Sequence, residues 1–473
     1  MKLLFVTGEA APFAASGGLG DVAGALPAAL KKERPEDKIS VVMPCYDTIK
    51  EIYRRDFEKV ADITFKLSWR STGATIFKTV KDGVDYYFVE NHYYFDRSKL
   101  YGEYDDAERF AFFSTAVIEF MLQCDMVPDV LHANDWHTAL TVIYLKTKYA
   151  SDYRLSGVRT LYTIHNIEYQ GQYDPYILGD VFALDTCYLG ALEYGGCINL
   201  TKGAIALSDF VSTVSPNYAR ELQYDYFAFG LADVIKSASY KMTGIINGID
   251  YSYFSPDKGG DIIYPYNSRN FRTGKNTNKC ALQEELGLEV NKDVPLVAMV
   301  TRLTAGKGID LVVHVIEEIL RENVQLVVLG TGDSVFESQL EYYSRVYPNM
   351  KALITFDRAL SKRIYASADI FLMPSKSEPC GLSQMIACSY GTIPVVHAVG
   401  GLYDSIKPMG EEGYNGFTFV NYNAHEMLFA IKDALNVYNN KKAWGDLVRR
   451  ARRSDFTWRR SAKKYIEIYN GLF

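Results

Sequence analysis

The feature that most constrains the fold of this 473-residue sequence is a recurring pattern of short apolar runs, each followed by polar or glycine residues and a helical stretch. Such runs are typical of strands buried on both faces of a parallel sheet. The predicted strands are residues 3–6, 39–43, 130–132, 160–164 and 210–214 in the first half, and 296–300, 324–329, 370–373 and 392–396 in the second. The sequence therefore predicts an α/β protein with two Rossmann-like, doubly wound parallel-sheet domains that face a central cleft.

The boundary between the two domains is predicted near residue 250. Asn247 and Gly248 follow the last strand-like run of the first half. Residues 267–278 are polar and lack apolar periodicity, which predicts an exposed loop. Residues 444–469 are helical and basic, a pattern ordinarily found on a solvated helix face. We expect domains at residues 1–250 and 251–455, followed by a terminal segment at 456–473.

Composition and charge disfavour several classes of protein. The net charge of -6 gives no general attraction to polyanions, which disfavours a nucleic-acid-binding protein. Seven cysteines without CxxC pairs indicate neither a disulfide framework nor a thiolate zinc site, and they favour a reducing compartment. Gly8 and Glu9 interrupt the apolar start before a signal sequence could form, and no apolar run approaches a membrane span. We therefore expect a cytoplasmic protein without a membrane partner.

The first glycine turn, residues 16–21, reads SGGLGD and leads from the first predicted strand into a helix. Free backbone N–H groups at such a helix start favour an anion. The turn matches neither GxGxxG nor GxxxxGKS, which disfavours dinucleotide dehydrogenases and P-loop NTPases. A tight turn that only allows close helix packing is the ordinary alternative. The second glycine turn, residues 400–402, follows the strand at 392–396 and has the same two interpretations.

Two cations follow the strand at residues 296–300. Arg302 and Lys307 lie five positions apart, and cations there suit a phosphate group. A departing nucleoside diphosphate gains negative charge that they could stabilise without a metal. Solvated surface charges are the alternative interpretation.

Glu378 follows the strand at residues 370–373, where α/β sites assemble. Its carboxylate can accept hydrogen bonds from sugar hydroxyls, and Gly381 and Leu382 offer N–H groups at a predicted helix start. An ordinary first-turn carboxylate is the alternative. His132 and His137 do not have the spacing of an HExxH motif, so we expect no metal, and His165 is the better ligand candidate.

Taken together, these segments resemble bacterial glycogen synthases and plant starch synthases, the retaining transferases that extend α-1,4-glucans from ADP-glucose. The resemblance covers nearly the whole chain in ordered succession. The matching segments are residues 9–27, 132–137, 163–171, 247–248, 278–288, 301–308, 378–384, 391–402 and 456–458.

The resemblance implies a B-type glycosyltransferase fold, with an acceptor-side first domain, a nucleotide-sugar-side second domain and a last helix that crosses back to the first. It implies transfer of glucose from ADP-glucose to the non-reducing end of glycogen or a maltooligosaccharide, with retention of configuration. Neither a covalent enzyme intermediate nor a cofactor is expected. UDP-glucose is the less favoured donor.

The resemblance also implies roles for individual residues. His165 would contact the donor glucose, Glu378 would hold glucose hydroxyls, and Arg302 and Lys307 would neutralise the diphosphate. The remaining donor-binding residues would be Ser16, Gly17, Gly18, Asp21, Asn247, Cys380, Gly381, Leu382, Gly400, Gly401 and Leu402. Asp135 and Tyr169 would bind the acceptor.

The sequence departs from the family pattern at four positions. Ala15 stands where relatives usually have lysine, so a cation near the donor is missing; Gly306, Ser377 and Phe95 are milder changes. One rival interpretation is a retaining transferase that uses UDP-sugars. Many such enzymes have a second glutamate where this chain has Ile386. The other rival is an inactive glucan-binding protein, made inactive by the absence of the lysine at position 15.

Overall fold

A computed structural model of the chain describes residues 1–257 and 259–473. The described chain divides into two compact units. The first unit comprises Met1–Asn247 and Trp458–Phe473, and the second comprises Gly248–Thr457.

The strands and helices are numbered in chain order. Strands β1 to β18 are Lys2–Val6, Lys38–Pro44, Glu58–Leu67, Arg70–Lys81, Val84–Glu90, Val130–Asn134, Arg159–Ile164, Gln172–Tyr173, Glu193–Tyr194, Cys197–Asn199, Phe210–Thr213, Met242–Gly244, Leu296–Val300, Gln325–Leu329, Met350–Leu353, Ile370–Met373, Ile393–His397 and Phe417–Phe419. Helices α1 to α21 are Gly18–Glu33, Glu51–Arg54, His92–Phe95, Asp106–Gln123, Trp136–Lys146, Ile177–Asp180, Leu189–Leu192, Leu200–Leu207, Pro216–Glu221, Asp225–Ala228, Ala232–Ala238, Phe271–Glu285, Ile309–His314, Ile316–Arg321, Ser334–Val346, Arg358–Ser367, Ser383–Tyr390, Gly400–Ser405, Ala424–Asn439, Lys441–Arg453 and Trp458–Gly471. Three 3-10 turns are Thr186–Tyr188, Ser239–Lys241 and Ala305–Lys307.

The first unit is built on a nine-stranded sheet of order β12-β11-β7-β6-β1-β2-β5-β4-β3. Strands β12 to β5 in this order are parallel, and β4 and β3 continue the sheet as antiparallel strands. In register, Leu3 of β1 lies opposite Ile39 on one side and Val130 on the other. Because the chain winds away from β1 in opposite directions, the crevice for a ligand is expected at the carboxyl ends of β1 and β6.

The second unit has a six-stranded parallel sheet of order β15-β14-β13-β16-β17-β18. Numbered within the unit, this is the 3-2-1-4-5-6 order of a doubly wound dinucleotide-binding sheet. A core of apolar side chains that includes Leu296, Ala298 and Val327 packs against helix residues Leu282 and Ile364. The order reverses between β13 and β16, so the equivalent crevice lies at the carboxyl ends of these strands. The predicted pair of doubly wound α/β sheets is confirmed.

The last helix, α21, completes the first unit although it is remote in sequence. Its Tyr469 hydroxyl lies 2.9 Å from His132 Nδ1, and Ser461 donates a hydrogen bond to the Ile246 carbonyl. Asn470 accepts a hydrogen bond from Arg34 at the end of α1. The basic stretch predicted as one helical segment is two helices, α20 and α21, with a break between them.

The prediction of an exposed loop at residues 267–278 is wrong, because helix α12 starts at Phe271. Its buried positions are Phe271, Gly274, Lys275, Asn278, Lys279, Leu282 and Gln283, which recur with helical spacing. Several of them are polar, so no apolar periodicity was visible. Lys275 Nζ, for example, donates to Thr392 Oγ1 at 2.8 Å, and Asn278 donates to the Tyr264 carbonyl at 2.7 Å. Among the described residues, no helix has the length and apolar character needed to cross a membrane.

Candidate functional site

The first glycine turn follows β1 at the crevice of the first unit. A Cβ atom added to Gly17 or Gly18 would meet no atom within 4 Å outside the neighbouring residues. In the described part of the chain, the N–H groups of both glycines have no protein acceptor. Gly18 begins the 16-residue helix α1, so these free donors lie at the positive end of a helix dipole. The turn therefore offers open space and unpaired donors to an anion.

A buried carboxylate holds this turn in place. Glu9 accepts hydrogen bonds from Ser16 N at 2.6 Å, Ser16 Oγ at 2.7 Å and Gly20 N at 3.0 Å. Burial raises the pKa of Glu9, and the three donors oppose that shift. Ser16 Oγ also contacts the Tyr101 hydroxyl, which burial and the nearby Glu9 carboxylate give a pKa of about 12. Tyr101 was not predicted from the sequence, because only the fold brings it to the turn.

Asp135 occupies a strained position at the end of β6. Its backbone has φ 58° and ψ 178°, a region that costs about 1–3 kcal/mol for a non-glycine residue and clusters at functional sites. The carboxylate accepts a hydrogen bond from His165 N at 2.7 Å. Burial raises the pKa of Asp135 to about 7. The fold thus fixes this carboxylate at the carboxyl edge of the sheet. It lies beside His165, the residue predicted to contact the donor glucose.

His165 is held in one tautomer. Its Nε2 lies 2.9 Å from Oδ1 of Asn134, whose Nδ2 donates to two backbone carbonyls. The amide orientation fixed by those two bonds makes Oδ1 the acceptor, so His165 Nε2 carries the proton and Nδ1 has a free lone pair. Burial lowers the pKa of His165 to about 3. A neutral imidazole of this kind can accept a hydrogen bond from a hydroxyl but is not an acid at neutral pH.

The other predicted residues of the first unit lie in different surroundings. Asp21 is in the first turn of α1, and Tyr169, which is 55% exposed, follows His165 in the next loop. Asn247 is buried, and its Oδ1 has no hydrogen-bond partner among the described residues. Such an unsatisfied buried acceptor is uncommon and favours a ligand donor at this place. His132 instead makes structural hydrogen bonds to Tyr469 and Thr163.

In the second unit, a cavity of about 210 Å³ lies at the carboxyl ends of β13 and β16. It is lined by Met299, Val300, Thr301, Lys307, Phe371, Leu372, Met373, Ser375, Glu378, Gly381, Leu382 and Ser383. The cavity therefore brings together four of the residues singled out in the sequence: Lys307, Glu378, Gly381 and Leu382.

A cation and a carboxylate are paired in this cavity. Lys307 Nζ lies 2.6 Å from Glu378 Oε2, and Ser375 Oγ donates to the same oxygen at 3.0 Å. Gly308 brings the two loops together, because a Cβ there would lie 2.2 Å from the Pro374 carbonyl oxygen. Arg302 is exposed at the end of β13 and makes no ion pair within residues 1–257 and 259–473. In the same ranges no group of three or more histidine, cysteine or acidic side chains is arranged to hold a metal.

The predicted amide donors divide into two classes. The N–H groups of Gly381 and Leu382, just before α17, have no protein acceptor in the described part of the chain. Gly401 N–H, in contrast, donates to the Glu378 carbonyl, and Leu402 N–H donates to the Val399 carbonyl, both at 3.0 Å. Protein carbonyls therefore already accept hydrogen bonds from these last two amides, and the binding of a diphosphate by them stays a prediction.

Gly400 and Cys380 also have structural surroundings. Gly400 has φ 44°, and a Cβ there would lie 1.9 Å from the Glu378 carbonyl oxygen. Cys380 is buried, and its carbonyl accepts a hydrogen bond from Gln384 Nε2 at 3.1 Å. The second glycine turn thus packs directly on the loop that carries Glu378.

Comparison with protein families gives two matches. The model of the starch synthase catalytic domain matches residues 2–237, and the model of glycosyl transferases group 1 matches residues 284–451. Glycogen synthase from Ligilactobacillus salivarius is 43% identical over 478 aligned positions that cover all of both chains. Glycogen synthase from Geobacillus thermodenitrificans is 44% identical, with 100% of this chain and 98% of the relative covered.

Solved structures extend this similarity to the fold. The catalytic domain of starch synthase IV from Arabidopsis thaliana, bound to ADP and acarbose, superposes with a TM-score of 0.90 at 33% identity, covering 100% of this chain and 99% of that one. Sucrose-phosphate synthase from Thermosynechococcus elongatus has a TM-score of 0.62 at 17% identity, with 100% and 99% covered, and shows a likeness of fold alone.

Proposed function

Because this chain belongs to the family of bacterial glycogen synthases and starch synthases, we propose that it transfers glucose from ADP-glucose to the non-reducing end of an α-1,4-glucan. The anomeric configuration is retained and ADP is released. Full-length similarity to glycogen synthases supports the reaction, and the starch synthase relative bound to ADP and acarbose supports the choice of donor and acceptor.

The observation that carries the proposal is the cavity of the second unit. Lys307, the exposed Arg302 and the unpaired amides of Gly381 and Leu382 are the groups that a leaving diphosphate needs. The two amides are fixed by the fold at the start of α17, so their hydrogen bonds to the diphosphate require no reorganisation. Glu378, oriented by Lys307 and Ser375, has carboxylate oxygen available to accept hydrogen bonds from sugar hydroxyls.

The residues of the first unit are assigned to the sugar and the acceptor. His165, neutral and with Nδ1 free, accepts a hydrogen bond from a hydroxyl of the donor glucose, and Asp135 and Tyr169 contact the acceptor. Gly17 and Gly18 offer amides to the phosphates, with Ser16 positioning the turn. Burial lowers the pKa of His165 to about 3, so its imidazole is a weak base, and the donor phosphate oxygen is the better acceptor for the proton of the attacking hydroxyl. No covalent enzyme intermediate is then required.

A transfer assay tests the reaction. The pure protein is incubated with glycogen and either ADP-[14C]glucose or UDP-[14C]glucose, and radioactivity is counted in the precipitated glucan. We expect transfer from ADP-glucose at a higher kcat/KM than from UDP-glucose, and product chains that β-amylase digests. Absence of transfer from both donors would refute the proposal.

The same assay separates the rival functions. Preferred use of UDP-glucose would place the chain with the UDP-sugar transferases. Glycogen binding without transfer would identify a glucan-binding protein, for which Ala15, exposed beside the first glycine turn, supplies the reason.

A further inference from the structure

Phe229 adopts a backbone conformation that is unusual for an aromatic residue. It ends the short helix α10 with φ 48° and ψ 44°, in the left-handed region, and Gly230 follows with φ 88°. Bulky side chains are genuine outliers there, and such conformations persist only where the surroundings impose them. The ring nevertheless remains 51% exposed, so packing of the ring in a core does not account for the conformation.

Gln170 holds the backbone of Phe229 from inside the protein. Its side chain is buried, and Nε2 donates to the Phe229 carbonyl and to the Ile167 carbonyl, both at 3.0 Å. Its Oε1 accepts from Asn199 Nδ2 at 2.6 Å, so the amide has one orientation. One buried side chain therefore ties the backbone of Phe229 to the loop that directly follows His165.

This hydrogen bond joins the backbone of Phe229 to the loop that carries Tyr169 and follows His165. Tyr169 precedes Gln170 in the chain and is 55% exposed, and the Phe229 carbonyl accepts a hydrogen bond from the Gln170 side chain. Other exposed tyrosines, such as Tyr153 at 84% and Tyr240 at 83%, have neither a left-handed backbone nor a link to the His165 loop. Among these exposed rings, the left-handed backbone is thus found at Phe229, whose carbonyl is bonded to the chain neighbour of the predicted acceptor residue Tyr169.

We propose that Phe229 is an acceptor-binding residue that stacks on a glucose ring of the α-1,4-glucan, together with Tyr169. The inference rests on the proposed function and adds a subsite to it. A sugar ring has an apolar face that an exposed aromatic ring can cover, and rigid aromatic side chains lose little entropy on contact. Gln170 is the positioning residue, since it holds the Phe229 backbone and touches no substrate.

The test separates the ring from the backbone conformation. Phe229→Asn removes the ring but keeps a residue that tolerates the left-handed region, and Phe229→Tyr restores a ring. We expect Phe229→Asn to raise the KM for glycogen about three- to tenfold, the range of one lost stacking contact, with the KM for ADP-glucose unchanged. Phe229→Tyr should restore the wild-type KM. Tyr240→Asn, which removes an exposed ring elsewhere in the first unit, is the matched control and should change neither constant.

Glycogen affinity electrophoresis makes the inference testable without turnover. If the wild-type protein transfers no glucose, the proposed function fails, yet weaker retention of Phe229→Asn than of Tyr240→Asn would still support the ring as a glucan contact. An unchanged glycogen KM and unchanged retention for Phe229→Asn would overturn the inference. Equal rises in both KM values, with a lowered melting temperature, would show a structural role and would also overturn it.

Discussion

At the first glycine turn, a Cβ atom added to Gly18 would meet nothing within 4 Å, whereas at the second turn one added to Gly401 would lie 2.1 Å from the Cys380 carbonyl oxygen. The backbone amides of the two turns also differ. Those of Gly17 and Gly18 have no acceptor among the described residues, whereas that of Gly401 donates to the Glu378 carbonyl. Similar sequences therefore serve different purposes. The first turn leaves room for a ligand, and the second allows two protein loops to touch.

The charges beside the two turns also differ. The first turn is fixed by the buried Glu9 and is preceded by the uncharged, exposed Ala15. The loop under the second turn carries Glu378, paired with Lys307. The proposed function therefore assigns the cations that stabilise a diphosphate to the second unit, and it assigns amides and a neutral imidazole to the first.

The largest effect is expected from removing the cation of the second unit. Lys307→Ala should lower kcat about 10²- to 10³-fold, since it deletes a charge that acts on the departing diphosphate. Lys307 is partly exposed, so the unfolding free energy should change by about 1 kcal/mol or less. Lys442→Ala, which removes an exposed lysine of α20, is the control for net charge. If kcat of Lys307→Ala stays within twofold of wild type, Lys307 does not stabilise the departing diphosphate.

Gly401→Ala should destabilise the protein by about 3 kcal/mol, the upper part of the range for overpacking, because the added methyl group must displace the backbone of Cys380. Urea unfolding measures this loss. Gly18→Ala serves as the matched control and should leave the unfolding free energy unchanged or slightly raised, since alanine favours a helix. Equal losses for the two variants would contradict the contrast between the turns.

Acidification should affect the first unit through its buried histidines. Burial lowers the pKa of His137 to about 3, whereas the unfolded chain takes up the proton near pH 6.5. The contribution of the neutral His137 to the unfolding free energy is therefore fully present above pH 6.5 and is lost as pH falls toward 3. Between pH 7 and pH 5, wild type should lose about 2 kcal/mol more than His137→Phe in urea titrations. Parallel losses in both proteins would show that another group titrates.

A smaller effect is expected for Gly18→Ala in catalysis. If the open space at Gly18 receives the donor phosphates, the added methyl group should lower kcat/KM for ADP-glucose about tenfold, as for an interaction of about 1.4 kcal/mol. The glycogen KM should stay the same. Steady-state kinetics with each substrate varied in turn measures both. An unchanged kcat/KM for ADP-glucose would show that the first glycine turn does not bind the donor phosphates.

Ser16→Ala should have the smallest effect. It deletes one hydrogen bond to Glu9 but leaves the Ser16 and Gly20 amides bonded to the carboxylate. A loss of about 1 kcal/mol corresponds to roughly fivefold in donor kcat/KM. Tyr101→Phe is the matched variant, since it keeps the ring and removes only the hydroxyl that contacts Ser16. A larger effect in Tyr101→Phe would assign the positioning role to the tyrosine.

The predicted and observed strands agree best where burial is uniform. Strand β13 was predicted at its observed bounds, residues 296–300, because both faces are covered and its apolar run is continuous. The hairpin of β3 and β4 was not predicted, since many of its side chains are exposed and polar. Helix α12 was missed for a different reason. Its buried face contains Lys275 and Asn278, whose hydrogen bonds become visible only in the fold.

The residues of the candidate site also fall into two groups, those that the sequence predicts and those that only the fold brings together. His165, Lys307 and Glu378 could be chosen from the sequence because each follows a strand at the edge where sites assemble. The contact between Tyr101 and Ser16 joins positions 85 residues apart, and no local pattern contains it. The occupied amide of Gly401 was equally hidden, because its acceptor belongs to another loop.

Helix α21 also bears on the order of folding during synthesis. Ser461 bonds to a carbonyl 215 positions earlier, and Tyr469 meets His132 across 337 positions. Domains generally fold as the chain emerges from the ribosome, beginning with the N-terminal one. Here the nine-stranded sheet emerges first but cannot acquire its last helix until the whole second unit has been made. The unit that begins folding first is therefore the one completed last.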